Sequence, residues 1–245
     1  MNKDIPETAT WAIETRGLEK SFGERLALRG IDLTVHQGER LVIFGPNGAG
    51  KTTLLKILST LVKPSAGSVR LGGIDVRDKR TDIRSKISLV SHQTFLYDNL
   101  TVFENLTFYG KMYDVADLKR RIHEVITWVQ LESRLDDRVG TLSRGLQQRA
   151  SIARAVLHNP SILFLDEPEV GLDSHASSML GDILGGINSD GKTVVMTTHD
   201  LKRGLEMSDS IVILDRGQIV FKSSKHELSE TNFQQIYDRC TETGR

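Results

Sequence analysis

The stretch from Leu41 to Thr53 constrains this chain more than any other. Leu41, Val42, Ile43 and Phe44 form an unbroken apolar run. Such a run fits a strand buried on both faces, as in a parallel sheet. Gly45, Pro46, Asn47, Gly48, Ala49, Gly50, Lys51 and Thr52 follow with the spacing of a P-loop. From Thr52 onward, Leu54, Leu55, Leu58 and Leu61 keep helical spacing. The glycines let successive backbone N–H groups turn inward around phosphate oxygens, where a Cβ would obstruct them. Lys51 would reach the β- and γ-phosphates, and Thr52 would coordinate Mg²⁺. The N-terminus of the helix adds the positive end of its dipole. The residues from Gly45 to Thr53 therefore predict a nucleoside triphosphate site.

A second piece of chemistry lies at Ile162-Leu-Phe-Leu-Asp166-Glu167-Pro168. A buried strand ending in two acids sets both carboxylates at the carboxyl edge of a sheet, where open α/β folds bind ligands. Asp166 would hold Mg²⁺, directly or through water. Glu167 would orient and polarise the attacking water as general base. Phosphoryl transfer depends mostly on positioning and charge stabilisation, so these few residues supply what the reaction needs.

Between and around these two points the pattern alternates between strand and helix. Trp11 to Arg16 and Leu26 to Val35 read as strands joined by a turn at Phe22-Gly-Glu-Arg. Ser68–Leu71, Ile87–Ser91, Ser161–Leu165 and Thr193–Thr197 read as further strands. Ile211–Leu214 and Gln218–Lys222 read as a hairpin around Asp215-Arg216-Gly217. From Thr94 to His158 the spacing is helical, with Val115, Leu118, Ile122, Val125, Ile126, Val129 and Leu131 on one face. Lys119-Arg120-Arg121 on the other side reads as a solvated face. A second helix is expected after Ser143, with Leu146, Ala150, Ala153 and Val156 inward. Met179 to Ile187 reads as another helix.

Bulk properties narrow the setting. Lys+Arg and Asp+Glu balance at 32 each, which gives no argument for a nucleic-acid partner. The single Cys240 excludes an intrachain disulfide framework and fits a reducing compartment. Met1 to Thr10 is polar and lacks a signal-peptide core, and no apolar run approaches the ~18 residues of a membrane span. The expected location is cytoplasmic.

Further residues carry a family resemblance. Leu142-Ser143-Arg144-Gly145-Leu146-Gln147-Gln148-Arg149 resembles the signature motif of ATP-binding cassette ATPases. His199, in Thr197-Thr198-His199-Asp200, resembles their switch histidine, and Gln93 their Q-loop glutamine. Gly171-Leu172-Asp173 resembles the D-loop, and Phe22 stands in the place of the adenine-stacking aromatic. The likeness runs from Trp11 to Lys222 and implies an α/β fold. Its elements would be a P-loop NTPase (RecA-like) core, an antiparallel β subdomain and a helical lobe inserted at residues 94–158. Residues 223–245 would then form a short tail.

The resemblance also implies a mechanism. Two cassettes pair head to tail, each ATP lying between one P-loop and the Ser143 and Gly145 of the other copy, with Asp173 nearby. His199 would contact the γ-phosphate, and Gln93 would reach the nucleotide and its metal and couple them to the lobe. An integral membrane permease would be the second partner. Soluble cassette ATPases that act on DNA or ribosomes usually carry two cassettes or a long coiled-coil insertion, whereas the Gln93–Ser143 interval here is compact. A nucleotide-binding scaffold without hydrolysis is disfavoured by Glu167 and His199.

Three departures from the family pattern stand out. Arg144 replaces a glycine, and Leu146 replaces a glutamine that would complete a capping box with Ser143. Glu169-Val170 replaces a pair of small polar residues. Asp98 to Gly110 resembles the exporter-associated group. The segments around Arg144 and around His199 resemble the ATP-binding subunit of haem exporters in cytochrome c maturation, and related drug exporters share most of these residues.

Overall fold

Alternation along the buried strands divides the apolar residues between two cores. In β3 (Arg40–Phe44), Leu41 and Ile43 face one core, Val42 and Phe44 the other. β7 (Ile162–Asp166) sends Ile162 and Phe164 one way and Leu163 and Leu165 the other. A sheet covered on both faces needs apolar residues at every position, which is why these strands read as continuous runs. The computed structural model describes residues 11–78, 80–169, 180–183, 185–186 and 191–242.

The large sheet has the order β10-β9-β3-β8-β7-β6. It comprises β6 (Ile87–Val90), β8 (Thr193–Thr197), β9 (Ser210–Asp215) and β10 (Gln218–Ser224) with β3 and β7. All neighbours are parallel except β10, which closes one edge antiparallel. Helix α1 (Lys51–Leu58) follows β3 and covers one face together with the smaller sheet. That second sheet is antiparallel, with the order β2-β1-β4-β5. Its strands are β1 (Trp11–Phe22), β2 (Arg25–His36), β4 (Ala66–Leu71) and β5 (Ile74–Asp75), and a short helix, α2 (Arg80–Arg84), precedes β6. β1 continues six residues past its expected end at Arg16. A register shift between Thr15 and Leu18, with Gly17 at φ 53°, breaks the alternation there before Leu18 turns inward again.

The opposite face carries the lobe: α3 (Val102–Met112), α4 (Leu118–Trp128) and α5 (Arg144–Val156). α3 begins with a capping box, in which Thr101 and Glu104 satisfy each other's backbone N–H. Ile122, Val125 and Ile126 of α4 are fully buried, as their spacing predicts. Arg121 corrects the expected solvated run. Arg120 is exposed, pairing with Asp117 and Glu124, but Arg121 donates to the carbonyls of Val156 (2.8 Å) and Leu157 (3.0 Å). It therefore caps the C-terminus of α5, where carbonyls lack helical partners and attract a cation.

After β8 come α6 (Leu201–Met207) and, at the end of the described chain, α7 (Glu230–Glu242). Residues 180–183 and 185–186, within the helix expected at Met179–Ile187, are helical. Gly171-Leu172-Asp173 lies outside the described residues. Among the described residues, no helix is long and apolar enough to cross a membrane.

The segment read as a tail is packed. Phe233 of α7 is 1% exposed, its ring 4.9 Å from that of Phe44 at the end of the P-loop strand. Removing the Phe233 ring leaves a cavity behind β3. Phe233→Ala should lower unfolding free energy by about 3–5 kcal/mol, measured by urea denaturation. An unchanged midpoint would mean that α7 adds nothing to the core.

Candidate active site

β3 delivers the chain to its glycine-rich turn between β9 and β8. Gly45 has φ 149°, and a Cβ there would lie 2.1 Å from the carbonyl oxygen of Leu214 on β9. Gly50 (φ 109°) is the N-cap of α1, and a Cβ would come within 2.8 Å of the Ala27 carbonyl. No side chain caps α1 and its first turn holds no acid, so its N–H groups and dipole are available to an anion.

Lys51 is 5% exposed and donates to the carbonyls of Gly45 (2.7 Å) and Pro46 (3.1 Å). Burial pulls its pKa below the ordinary lysine value, against the opposing pull of Glu167 and Asp166. Above the loop opens a cavity of about 390 Å³, walled by residues 47–53 with Phe22, Arg25, Ala27 and Glu167. Gly45 and Pro46 lie below it as the acceptors of Lys51. Phe22 is 53% exposed and carries the Lys20 ammonium 4.9 Å above its ring. Arg25, which the sequence reading assigned only to a turn, joins this wall; its closeness to Phe22 in that turn was the available signal. A larger cavity, about 520 Å³ and lined by Trp11, Arg70, Lys86 and the β4–β5 turn at Gly72 and Gly73, does not touch the P-loop or either acid of β7.

The acids arrive from the neighbouring strands. Asp166 pairs with Thr197 in sheet register, and its Oδ1 accepts from Thr197 (2.9 Å) and from Thr52 (3.1 Å). Two hydroxyls and one carboxylate suit a hard divalent cation. Glu167 then leaves the strand at φ 50°, a left-handed conformation that costs about 1–2 kcal/mol in a residue with a Cβ. Its N–H donates to the hydroxyl (3.0 Å) and carbonyl (3.2 Å) of Thr197. The turn lets its side chain line the cavity, and Oε1 meets Nε2 of His199 at 2.5 Å. Lys51, Thr52, Thr53, Asp166, Glu167 and His199 are thus brought together.

Other expected residues stand apart. Ser143 is the N-cap of α5 and accepts from the Leu146 N–H (3.4 Å), so Leu146 is indeed N3. Ser143 and Arg144 are exposed, and neither they nor Gly145 line this chain's own cavity. Gln93 is exposed and does not line this cavity. Its loop is fastened to the lobe instead: Thr94 accepts from Ser151 of α5 (3.2 Å), and Phe95 accepts from the Tyr109 hydroxyl.

Residues 28–170, more than half of the chain, match the family described as ABC transporter. The chain belongs to that family and is one of its ATPases. Among its relatives, it is 33% identical over 218 residues to the linearmycin resistance ATP-binding protein LnrL of Bacillus subtilis (strain 168), covering 88% of this chain and 70% of LnrL. It is 35% identical to the Nod factor export ATP-binding protein I of Rhizobium sp. (strain N33), covering 89% and 73%. A solved dimeric cassette, MJ0796 in a post-hydrolysis state bound to ADP and Pi, superposes with a TM-score of 0.81 at 32% identity. That match covers 87% of this chain and 98% of the other. As an ABC ATPase the chain binds ATP and ADP, and its α/β cassette fold is the one the sequence predicts.

Lys51→Ala removes the main side-chain cation while the backbone cradle remains. Affinity for a fluorescent ATP analogue should fall about 10- to 100-fold, the size of a hydrogen bond to a charged group. Unaltered titration would take Lys51 out of the phosphate site.

Proposed function

We propose that this chain is the ATP-hydrolysing subunit of a membrane exporter, acting as a head-to-tail homodimer under a permease at the inner face of the cell membrane. The export half of this reading is carried by an exposed apolar cluster on the helical lobe. Tyr97 is 51%, Phe108 43% and Met112 54% exposed, and the rings of Tyr97 and Phe108 meet edge-on at 5.2 Å. Phe108 packs on Tyr109 at 5.3 Å, and Tyr109 lines a cavity of about 220 Å³ between the lobe and the end of α1. Contiguous exposed apolar groups of this kind mark partner sites. Phe95 and Leu96 are partly buried, so Tyr97 is the docking residue of that trio.

The position of the signature supports the dimer. Ser143, at the exposed N-terminus of α5, does not line this chain's own nucleotide cavity, and the solved cassette that superposes here is dimeric. There the orphan N–H groups of α5 would meet the γ-phosphate. In the catalytic cycle, Lys51 leaves the Gly45 and Pro46 carbonyls for the β- and γ-phosphates. Thr52 and Asp166 would hold Mg²⁺, which when bound would supply charge neutralisation at the phosphates. Glu167 accepts the proton of the attacking water, and His199 beside it steadies the γ-phosphate. Gln93 and Asp173 are assigned to the closed dimer, Gln93 through the loop that α5 and α3 hold.

Balanced charge supports no nucleic-acid role. For cargo, the wider exporter reading is the better supported one. The two curated relatives above are named for linearmycin resistance and Nod factor export. The narrower haem-export reading rests only on the residues around Arg144 and His199.

Glu167→Gln should keep ATP binding, stall hydrolysis and form an ATP-stabilised dimer on gel filtration. Adding Arg144→Gly should weaken that dimer, because an exposed cation facing the partner's phosphates is lost. Parental turnover by Glu167→Gln would remove Glu167 as the base, and a dimer as strong with Arg144→Gly would leave Arg144 a surface residue. Tyr97→Glu or Phe108→Glu should preserve basal ATPase activity and abolish co-purification of the permease from mild detergent. Permease retained by both would put the docking surface elsewhere. A deletion strain should still attach haem to cytochrome c; failure to do so would establish the narrower cargo.

A further inference from the structure

Glu169 occupies a position where the family resemblance leads one to expect a small polar residue, and the cycle above makes no use of it. It sits in the loop that leaves β7, opposite the loop that leaves β8 and carries His199. Oε2 of Glu169 accepts from the Thr198 hydroxyl (3.3 Å), and the same hydroxyl accepts from the Asp200 N–H (3.1 Å). Asp200 in turn caps α6 through the Arg203 N–H (2.9 Å). Thr198, in the middle of this relay, is 2% exposed. His199 lies inside it, between the residue Glu169 holds and the residue that caps α6.

On the other side, Gln148 of α5 donates to the carbonyl of Pro168 (3.4 Å), the residue just before Glu169. A continuous path therefore runs from the signature helix through Pro168 and Glu169 to Thr198 and the histidine loop. We infer that Glu169 is a positioning residue for hydrolysis, bracing the loop of His199 through Thr198 so that His199 stays opposite Glu167.

Two further observations bear on this. Oε1 of Glu169 is buried and, among the described residues, has no hydrogen-bond partner, which leaves the Thr198 hydroxyl as the donor to this carboxylate. Burial raises the pKa of Glu169; Arg203 and the Thr198 hydrogen bond act against that, and Asp200 and Glu167 act with it. The brace needs an acceptor at this position rather than a charge, and a glutamine carbonyl supplies one.

The inference rests on the assignment of Glu167 and His199, and the test separates the two. Glu167→Gln and His199→Ala first establish that hydrolysis depends on this pair. Glu169→Ala should then lower kcat about tenfold with the KM for ATP unchanged, the size of one hydrogen bond. Thr198→Val should do the same, and the double variant should be no worse than either single one. Glu169→Gln and Thr198→Ser should each recover most of the rate. Thermal melting checks folding, and Glu169→Met, which keeps the side-chain length but removes both oxygens, replaces Glu169→Ala if that protein melts early. Undiminished kcat, multiplicative losses or no recovery by glutamine would overturn the brace while leaving the Glu167–His199 assignment intact. Full activity in Glu167→Gln and His199→Ala would instead remove the assignment on which the brace depends.

Discussion

Oδ1 of Asp166 accepts hydrogen bonds from Thr52 and Thr197, and that single oxygen joins three distant parts of the chain. Thr52 opens the helix after β3, Asp166 ends β7 and Thr197 ends β8. Only a sheet in which β8 lies between β3 and β7 brings these ends together, and the order found here does so. Parallel pairing also aligns all three carboxyl ends at one edge. The alternation of Leu41 and Ile43 against Val42 and Phe44 covers both faces of that sheet. The chemistry thus depends on the strand order of the sheet and not on the site residues alone.

Strand order is also what local pattern could not supply. The P-loop, the acidic end of β7 and Ser143 as a cap were legible, because each depends on a few consecutive residues and the turn or helix they build. Thr193–Thr197 matches β8 residue for residue. The length of β1 was hidden by its bulge, since a register shift moves inward residues out of step with a period of two. Arg121 was misread because its neighbours are solvated, and a charge run cannot reveal which member turns back to a helix end. α7 was harder to read for a related reason: Phe233, Ile236 and Tyr237 are spread through a polar stretch, and the burial of Phe233 is decided by Phe44, far away in sequence.

The lobe is tied to the nucleotide side through the segment after Gln93. Phe95 adopts φ 56°, and its carbonyl accepts from Tyr109. Arg154 of α5 lies 5.5 Å from the rings of both Phe95 and Tyr109 and donates to the Leu89 carbonyl at 2.6 Å. A guanidinium this buried, 7% exposed, is held by one carbonyl and two aromatic faces. Breaking either ring contact leaves a poorly compensated buried charge, which is costly. The segment from Thr94 to Phe95 therefore moves with α5 and α3 as a unit. That gives a mechanical reason for the Tyr97 cluster to follow the loop of Gln93.

Within the site, each reactive group is already committed to a partner in the chain. Lys51 holds two loop carbonyls, Thr52 holds Asp166, and Glu167 holds His199. A nucleotide entering this cavity exchanges those contacts for its own, so its affinity reports a difference between two sets of hydrogen bonds rather than the sum of the new ones. The carboxylate of Glu167 is displaced from its strand by a left-handed turn, and the loop facing it is laced by Thr198 and Asp200. The loop of His199 is held at its two ends by β8 and by the cap of α6. The left-handed backbone of Glu167 is held by hydrogen bonds to Thr197, which are made within the chain and involve no group that would face a nucleotide's phosphates.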